Sequence, residues 1–489
     1  MAGAVPVLAF PSLNLEILGW IGLVPGLLVL RAAPTAREAA VRGWWLGTGY
    51  LLLAMYWLTP NLGPAVLLIA IVLGLPWAGV GLAAWGLLRH PTVRQALAAL
   101  VVLPSCWVVI DWIRSWQGIG GPWAVFGASQ WQHPVVLALA AVGGIWLITI
   151  VLVAANTAIV IILTAASLAG RAVGAAGALL AIGAGPAAFA LTSAEYAVPT
   201  AGHLTVALVQ PGLEPLPQRT LAQGIMLTAH APRADLVVWG ESSVGYDLRT
   251  SPRVMHKLTT LSTAIDTQLL VSQDAVSPAG AKSKVAVLIG RRGIEQSYTK
   301  SRLVPFGEYI PFRSVLGWLT SISKAAPQNM VRGKGARVLH AVLADGRPLN
   351  FGILICFESS FPDMSRADTD HGAQVLIYQT SDSTFQGSWA PEQHASLAAV
   401  RAAETGRPAV QAALTGDSAA FDARGRLLAW AGTSYRGVLR VTLALPRDSV
   451  RTPFDRFGDI VPWTAIAIVG IAIVYAMYAS GAFRRFARR

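Results

Sequence analysis

The chain has few charged residues and only two cysteines. Asp, Glu, Lys and Arg make up 13% of its 489 residues, whereas a soluble domain carries about a quarter. Two cysteines exclude the class of small, disulfide-rich secreted scaffolds. Cys106 lies in an apolar run, where a buried and unreactive thiol is expected. Cys356 is the other cysteine, and it is either a small core residue or a nucleophile.

The net charge of +13 does not indicate a nucleic-acid-binding protein. Many of the arginines lie in short loops between apolar runs, and the rest of the sequence has no basic stripe interleaved with aromatic residues. We therefore expect no nucleic acid partner, and we interpret the positive charge as a sign of membrane topology.

Charged residues are scarce from Met1 to about Tyr196 and occur at ordinary density from His203 to Arg456. This shift predicts three parts: a transmembrane helix bundle at 1–192, a globular domain at 193–460, and a last transmembrane helix with a basic tail at 461–489. Few charges lie inside the apolar runs, so the bundle is predicted to be an anchor rather than a transporter or a channel.

A helix needs about 20 mostly apolar residues to cross the hydrocarbon core of a membrane. The candidate spans are 15–30, 43–60, 64–88, 95–113, 135–166, 172–192 and 461–481. Residues 1–10 are also apolar, and we predict a short first helix there. The sequence therefore predicts eight spans, about seven of them before the globular domain.

The placement of arginine predicts the orientation of these spans, because short cytoplasmic loops are rich in Lys and Arg. With the N-terminus inside, the inner loops and the tail hold Arg31, Arg37, Arg42, Arg89, Arg94, Arg171, Arg484, Arg485, Arg488 and Arg489. The short outer loops hold only Arg114. The 193–460 domain is therefore predicted to lie outside the cytoplasm, on the plasma membrane.

Tryptophan is concentrated at the predicted outer end of the 95–113 span and in the loop that follows it. The five residues are Trp107, Trp112, Trp116, Trp123 and Trp131. Two interpretations remain open, an interfacial aromatic belt and the lining of a lipid entry path.

From residue 203 onward, short apolar runs alternate with helix and turn signals. The predicted strands are Leu204–Val209, Leu236–Trp239, Leu269–Ser272, Val285–Ile289, Phe351–Cys356, Val375–Gln379, Ala409–Leu414 and Val438–Leu443. The predicted helices are 217–230, 253–265 and 391–405. Strands that alternate with helices predict a layered α/β domain.

Three segments of this domain deliver a polar side chain at or beyond the end of an apolar strand. Glu241 follows Leu236–Trp239, Lys300 follows a run that ends in Tyr298-Thr299, and Cys356 ends Phe351–Cys356. A thiol becomes nucleophilic as the thiolate, which needs a base or a nearby cation, and the tetrahedral intermediate needs a positive charge or N–H donors. Together the three residues supply a base, a cation and a nucleophile for acyl transfer, although each alone has a structural explanation.

A cysteine–histidine pair is less favoured by the sequence. The nearest downstream histidine, His394, lies in an ordinary helical segment.

Glu, Lys and Cys in this order resemble the nitrilase superfamily. The membrane helices and the segment Lys300-Ser-Arg-Leu-Val-Pro-Phe-Gly-Glu-Tyr-Ile-Pro311 narrow the resemblance to its membrane-embedded branch, the apolipoprotein N-acyltransferase family. The segments Arg401–Pro408 and Thr415–Asp422 are also similar to that family. The resemblance implies an α-β-β-α sandwich outside the membrane.

The resemblance also implies roles for individual residues. Cys356 is then the nucleophile, Glu241 the general base, and Lys300 the oxyanion stabiliser together with the backbone N–H of Phe357. Glu308 and Glu358 resemble the family's supporting carboxylates, and a structural role for either remains open.

Several positions depart from the commoner family pattern. Gly240 stands where proline is frequent, Phe357 where tyrosine is common, and Gln379–Ser383 replaces an Asn-Asp run. These positions bear on acyl-chain and head-group preference more than on the type of reaction.

By this resemblance, a phospholipid donates an acyl chain through a thioester on Cys356 to the N-terminal amine of a diacylated apolipoprotein, with no cofactor and no metal. Two alternatives remain: a membrane-tethered amidase or hydrolase of the same superfamily, and a non-catalytic scaffold or lipid-binding protein.

Overall fold

The computed structural model describes residues 2–196, 200–212, 214–277, 280–321, 326, 328–447 and 451–479. The basic tail that was predicted after residue 481 lies outside these residues. The described chain consists of an N-terminal helical region, an α/β domain and one last apolar helix.

Residues 2–196 are mostly helical. The α-helices are α1 (Ile17–Ile21), α2 (Val24–Arg31), α3 (Ala36–Ala54), α4 (Thr59–Leu62), α5 (Ala65–Gly74), α6 (Trp77–Leu88), α7 (Val93–Arg114), α8 (Pro134–Thr164) and α9 (Leu168–Tyr196).

Within the described chain, fewer helices than predicted have the length and hydropathy to cross a membrane. Four do, namely α7, α8, Leu168–Ser193 within α9 and the C-terminal helix Ile460–Ala479, and the pair α5 and α6, bent by 41°, would make a fifth. The predicted span 15–30 is broken between Ile21 and Val24, and α3 carries three charges near its start. The predicted first helix is a five-residue 3-10 helix, Val5–Ala9, and the predicted orientation stays a prediction.

The α/β domain begins after α9. Its elements are β1 (Gly202–Gln210), α10 (Pro217–Ala229), β2 (Leu236–Trp239), α11 (Pro252–Ile265), β3 (Gln268–Val276), β4 (Lys282–Gly290), β5 (Gly293–Thr299), α12 (Arg313–Leu316), β6 (Val338–Val342), β7 (Pro348–Ile355), α13 (Pro362–Asp370), β8 (Val375–Thr380), α14 (Ala390–Thr405), β9 (Ala409–Ala413), β10 (Ser418–Phe421), β11 (Leu427–Ala431), β12 (Gly437–Leu445), α15 (Pro453–Phe457) and the C-terminal helix α16 (Ile460–Ala479).

Two six-stranded sheets form the centre of the domain. Their orders are β12-β1-β2-β3-β4-β5 and β11-β10-β9-β8-β7-β6. Strands β1 to β3 are parallel in the first sheet, and β7 to β9 are parallel in the second. The carboxyl ends of parallel strands meet at one edge of a sheet, which is where α/β folds place their functional loops.

Three buried clusters of apolar side chains show how the sheets and helices of the domain are stacked. Apolar side chains of both sheets, such as Val238 and Ile353, pack together in one buried cluster between the sheets. Helices α10 and α11 cover the outer face of the first sheet through residues such as Leu221 and Leu258. Helices α13 and α14 cover the second sheet and share a continuous core with the N-terminal helices. The predicted helical region and α-β-β-α sandwich are therefore confirmed.

A break in α8 joins the helical region to the layer formed by α13 and α14. Gly143 and Gly144 leave helical geometry, and the φ of +70° at Gly144 suits only glycine there, because an added Cβ would lie 2.5 Å from the Phe454 ring. The freed N–H of Ile145 donates to Glu404 Oε1 of α14 at 2.8 Å. This bond satisfies a buried backbone donor and fixes α14 against the helices.

Tryptophans of the loop between α7 and α8 contact the α/β domain. Trp131 packs on Trp430 with ring centroids 5.2 Å apart, and Trp123 lies edge-on to His394 at 5.4 Å. Trp116, in contrast, is mostly exposed. Trp123 and Trp131 thus belong to the interface between the two parts of the chain.

Candidate active site

A buried lysine at the end of β5 lies between Glu241, at the end of β2, and Glu308, in the loop after β5. Lys300 Nζ is 3.1 Å from Glu241 Oε1 and 2.7 Å from Glu308 Oε1. The lysine has no exposed surface, and the glutamates are 5% and 8% exposed. A charge buried this deeply is stable only when it is paired, so each member of the cluster holds the others in place.

Backbone hydrogen bonds place these side chains. The N–H of Glu241 donates to the Thr380 carbonyl at 3.1 Å, which ties the end of β2 in one sheet to the end of β8 in the other. The N–H of Lys300 donates to the Lys284 carbonyl at 2.9 Å. An added Cβ on Gly240 would lie 2.0 Å from Leu414 N, so glycine is required where proline is frequent in the resembling family.

Cys356 directly follows β7 and is the first residue of the 3-10 helix Cys356–Ser360, in a strained turn. Its φ of +54° is in the left-handed region, which costs a residue other than glycine on the order of 1–3 kcal/mol. Ser242 and Phe306, near Glu241 and Glu308, are strained in the same way. Strain of this kind is maintained at sites where side-chain direction matters.

Glu358 fastens the cysteine turn to the lysine loop. Its Oε1 accepts hydrogen bonds from the N–H groups of Ser301 and Arg302 at 2.7 and 2.9 Å and from the Tyr298 hydroxyl at 2.8 Å. Its Oε2 accepts from the N–H of Ile355 at 2.8 Å. This side chain is completely buried, and these contacts hold together the two segments that carry Lys300 and Cys356.

The charges of the site act on one another. Burial disfavours the ammonium of Lys300, but Glu241 and Glu308 outweigh burial and hold its pKa well above the usual value. Burial and the nearby Glu241 raise the pKa of the Cys356 thiol, while Lys300 lowers it. These effects together favour the thiol form, and a base must take its proton before the sulfur can attack.

Phe357 follows the nucleophile candidate in the chain. Its ring is buried and packs edge-on against Phe361 at 4.9 Å. The part of its backbone N–H in stabilising an oxyanion stays a prediction.

His394 was not favoured by its sequence context, yet this residue lies beside Cys356. Its Nε2 is 3.1 Å from the Cys356 carbonyl oxygen, and its Nδ1 is 3.0 Å from Asp382 Oδ1. Asp382 follows β8 and has the same strand-end position as Glu241, so the pattern that identified Glu241 also applied to it. His394 does not follow a strand, so this pattern could not identify it. Its contact with Cys356 depends on how α14 packs against the second sheet.

Cys356, Asp382 and His394 place their potential ligand atoms within 4.8 Å of one another. Thiolate, carboxylate and imidazole are a donor set that zinc accepts. Both imidazole nitrogens already make hydrogen bonds, so metal binding would have to displace them.

A cleft of about 1360 Å³ leads to the site. Glu241, Glu308 and Lys284 line it, together with serines of the segment after β2.

The structure thus brings Lys300 into direct contact with Glu241 and Glu308. Cys356 is close enough for these charges to act on its thiol. Glu358 links the segments that carry Lys300 and Cys356. The catalytic roles of these residues stay predictions.

Comparisons with known proteins cover both parts of the chain. Residues 2–158 match the family model of the apolipoprotein N-acyltransferase N-terminal domain, and residues 205–451 match that of carbon-nitrogen hydrolases. A mutant of the Nesterenkonia sp. AN1 amidase, from the nitrilase superfamily, is 24% identical over 50% of this chain and 93% of that chain, with a TM-score of 0.38.

Relatives are similar over nearly the full length. The apolipoprotein N-acyltransferase of Chlorobaculum tepidum is 27% identical over 96% of this chain and 93% of its own length. That of Sinorhizobium medicae is 32% identical over 98% of this chain and 95% of its own length. With the two matching domains in this order, the chain belongs to the apolipoprotein N-acyltransferase family.

Proposed function

We propose that this protein transfers an acyl chain from a membrane phospholipid to the N-terminal amine of a diacylated apolipoprotein, through a thioester on Cys356. The observation that carries the proposal is the buried contact of Lys300 with Glu241 and Glu308, beside the strained Cys356 turn. Relatives over nearly the whole chain are named for this activity.

In the first half-reaction, Glu241 takes the proton of the Cys356 thiol, and the sulfur attacks the ester carbonyl of the phospholipid. Lys300 stabilises the negative charge on the carbonyl oxygen, because its ammonium is buried and fixed before the reaction. The tetrahedral intermediate collapses as Glu241 returns the proton to the leaving alcohol. The products are a lysophospholipid and an acyl thioester.

In the second half-reaction, the α-amine of the lipidated cysteine attacks the thioester, and Glu241 accepts the proton that the amine loses. Collapse of the second intermediate forms an amide and releases the Cys356 sulfur, which is reprotonated. The overall reaction moves one acyl group from an oxygen to a nitrogen and needs no outside oxidant or reductant.

The apolar helices explain why such a domain would be held at a membrane. Both substrates are anchored in lipid, and the helices share a continuous core with α13 and α14 of the catalytic layer. In the proposed orientation, which the arginine pattern supports, the domain faces the side on which exported lipoproteins are anchored.

Mass spectrometry of a lipoprotein N-terminus tests the proposal. Cells that lack their own N-acyltransferase are given the wild-type protein, Cys356→Ala or Cys106→Ala. We expect a third acyl chain, in amide linkage, with the wild-type protein and with C106A, but not with C356A. If none of the three adds this chain while the wild-type protein releases free fatty acid, the protein is a hydrolase.

A further inference from the structure

His394 is buried between a carboxylate and the nucleophile turn. Its Nδ1 lies 3.0 Å from Asp382 Oδ1, and its Nε2 lies 3.1 Å from the Cys356 carbonyl oxygen and 3.0 Å from Ser359 Oγ. The ring is 1% exposed. None of the steps proposed above uses this residue.

The partners of His394 determine its protonation. The carboxylate of Asp382 and the Cys356 carbonyl accept hydrogen bonds, so a proton on each ring nitrogen satisfies both contacts. Ser359 Oγ donates its own hydrogen to the Cys356 carbonyl at 2.9 Å and is free to accept at its lone pairs. The imidazolium form of His394 fits all of these contacts, and Asp382 raises the pKa of the ring in spite of burial.

The charges around the thiol show why a second cation matters. Burial is the main cause that raises the pKa of the Cys356 thiol; Glu241, Asp382 and Glu308 raise it further, and Lys300 opposes them. The surrounding carboxylates therefore add to burial in favouring the thiol form. Asp382 is also a poorly compensated group, because its Oδ2 is buried without a hydrogen-bond partner among the described residues.

We propose that His394 is a positioning residue whose imidazolium cancels the charge of Asp382 beside the thiol and holds the Cys356 turn through the carbonyl oxygen. The proposal deepens the acyl-transfer function above, since a thiolate at Cys356 is what that function requires. It predicts that the net charge of the His394–Asp382 pair sets how readily the thiol loses its proton.

The rate of alkylation of Cys356 by iodoacetamide, followed against pH, reads this property without any acyl substrate. The experiment uses the full-length protein in nanodiscs with Cys106→Ala, so that only Cys356 reacts. The titratable groups that act on the thiol or on His394 are Glu241, Lys300, Glu308 and Asp382. Trp123, Thr380 and Ser359 also lie against the ring and carry no charge.

His394→Gln keeps a neutral N–H donor but leaves Asp382 uncompensated. We expect the midpoint of the alkylation profile to rise by about one to two pH units, and the rate below the midpoint to fall about 10- to 100-fold. His371→Gln is the matched control, because His371 is the exposed residue that follows α13 and its ring contacts only the Ala367 carbonyl of that helix among the hydrogen bonds of the described residues. Its profile should equal that of the parent.

The double variant H394Q/D382N separates charge from structure. The pair is then neutral again, so the midpoint should return to within about half a unit of the parent. A purely structural role predicts a double variant at least as impaired as H394Q, and that result would overturn the proposal, as would an unshifted H394Q.

If H394Q does not fold, Asp382→Asn alone carries the test. Its midpoint should lie at or below that of the parent, and a rise of one unit would refute the proposal. A different result would contradict the proposed acyl-transfer function: a C106A protein whose thiol titrates as expected but which does not N-acylate the lipoprotein.

Discussion

The Nζ atom of Lys300 lies 2.7 Å from Glu308 Oε1, closer than to Glu241 Oε1 at 3.1 Å. Glu308 also accepts a hydrogen bond from the N–H of Val304 at 2.8 Å through its other oxygen. The shorter pairing therefore belongs to the carboxylate that is also hydrogen-bonded to the loop backbone, an arrangement that agrees with the proposed role of Glu241 as the base.

Glu308→Gln should lower the rate of acyl transfer by about 10- to 1000-fold, because Lys300 loses the charged partner that aims it at the oxyanion. The rate is measured with a diacylated lipopeptide in phospholipid vesicles. Asp363→Asn is the control: Asp363 also pairs with a cation, the guanidinium of Arg302, but its side chain is 54% exposed. Exposed pairs contribute little, so equal rates for E308Q and D363N would contradict the proposed part of Glu308.

Glu358→Gln should weaken both the fold and the site. An amide accepts hydrogen bonds at one atom only, so its NH₂ group would face buried N–H or O–H donors that now bind Glu358. We expect a loss of about 1–3 kcal/mol in the free energy of unfolding, with slower alkylation of Cys356. Thermal unfolding in detergent and the alkylation rate measure the two effects, and a fully stable variant would show that Glu358 does not fasten these segments.

Stability should fall between about pH 4.5 and pH 7 because of Glu404. Burial raises its pKa to about 7 although Arg401 lies at 3.1 Å, so the folded state holds a proton that the unfolded state has released. The folded state binds more protons in this window, and stability therefore decreases as pH rises, by on the order of 3 kcal/mol across it. The melting temperature should depend less steeply on pH in Glu404→Gln than in the wild type. An unchanged slope would show that Glu404 is not the cause of the pH dependence.

Asp368 should be a destabilising residue. It is buried, burial holds its pKa well above the usual value, and neither oxygen has a hydrogen-bond partner among the described residues. Asp368→Ala should raise the free energy of unfolding by about 1–3 kcal/mol at pH 8. The gain should shrink toward pH 5, where the carboxyl is neutral in the folded state. A variant less stable than wild type at pH 8 would mean that Asp368 has a partner outside the described residues.

The layered architecture was predictable because the parallel strands at the centre of each sheet are continuous apolar runs. Leu236–Trp239 has the same bounds in the prediction and in the structure, and Val375–Gln379 differs by one residue. Strands β6, β10 and β11 were not predicted, because short segments such as Ser418–Phe421 with their small residues carry a weak β pattern.

The site was predictable only as far as it follows strand ends. Glu241, Lys300 and Cys356 stand directly after strands, whereas His394 reaches Cys356 from the middle of a helix. The break in α8 likewise depends on tertiary contacts, since Gly143 and Gly144 interrupt an otherwise apolar helix where Glu404 and Phe454 approach. Sequence periodicity describes an element's own faces and carries no information on which partner they meet.

The most direct test of the central claim is a single-turnover experiment that follows the acyl group by intact-protein and peptide mass spectrometry. Purified protein is mixed with phospholipid vesicles, and a diacylglyceryl-modified peptide is then added. We predict a hydroxylamine-sensitive acyl adduct on Cys356 that disappears as the peptide gains an amide-linked chain, and no adduct in C356A. An adduct on another residue, or transfer that persists in C356A, would contradict the account.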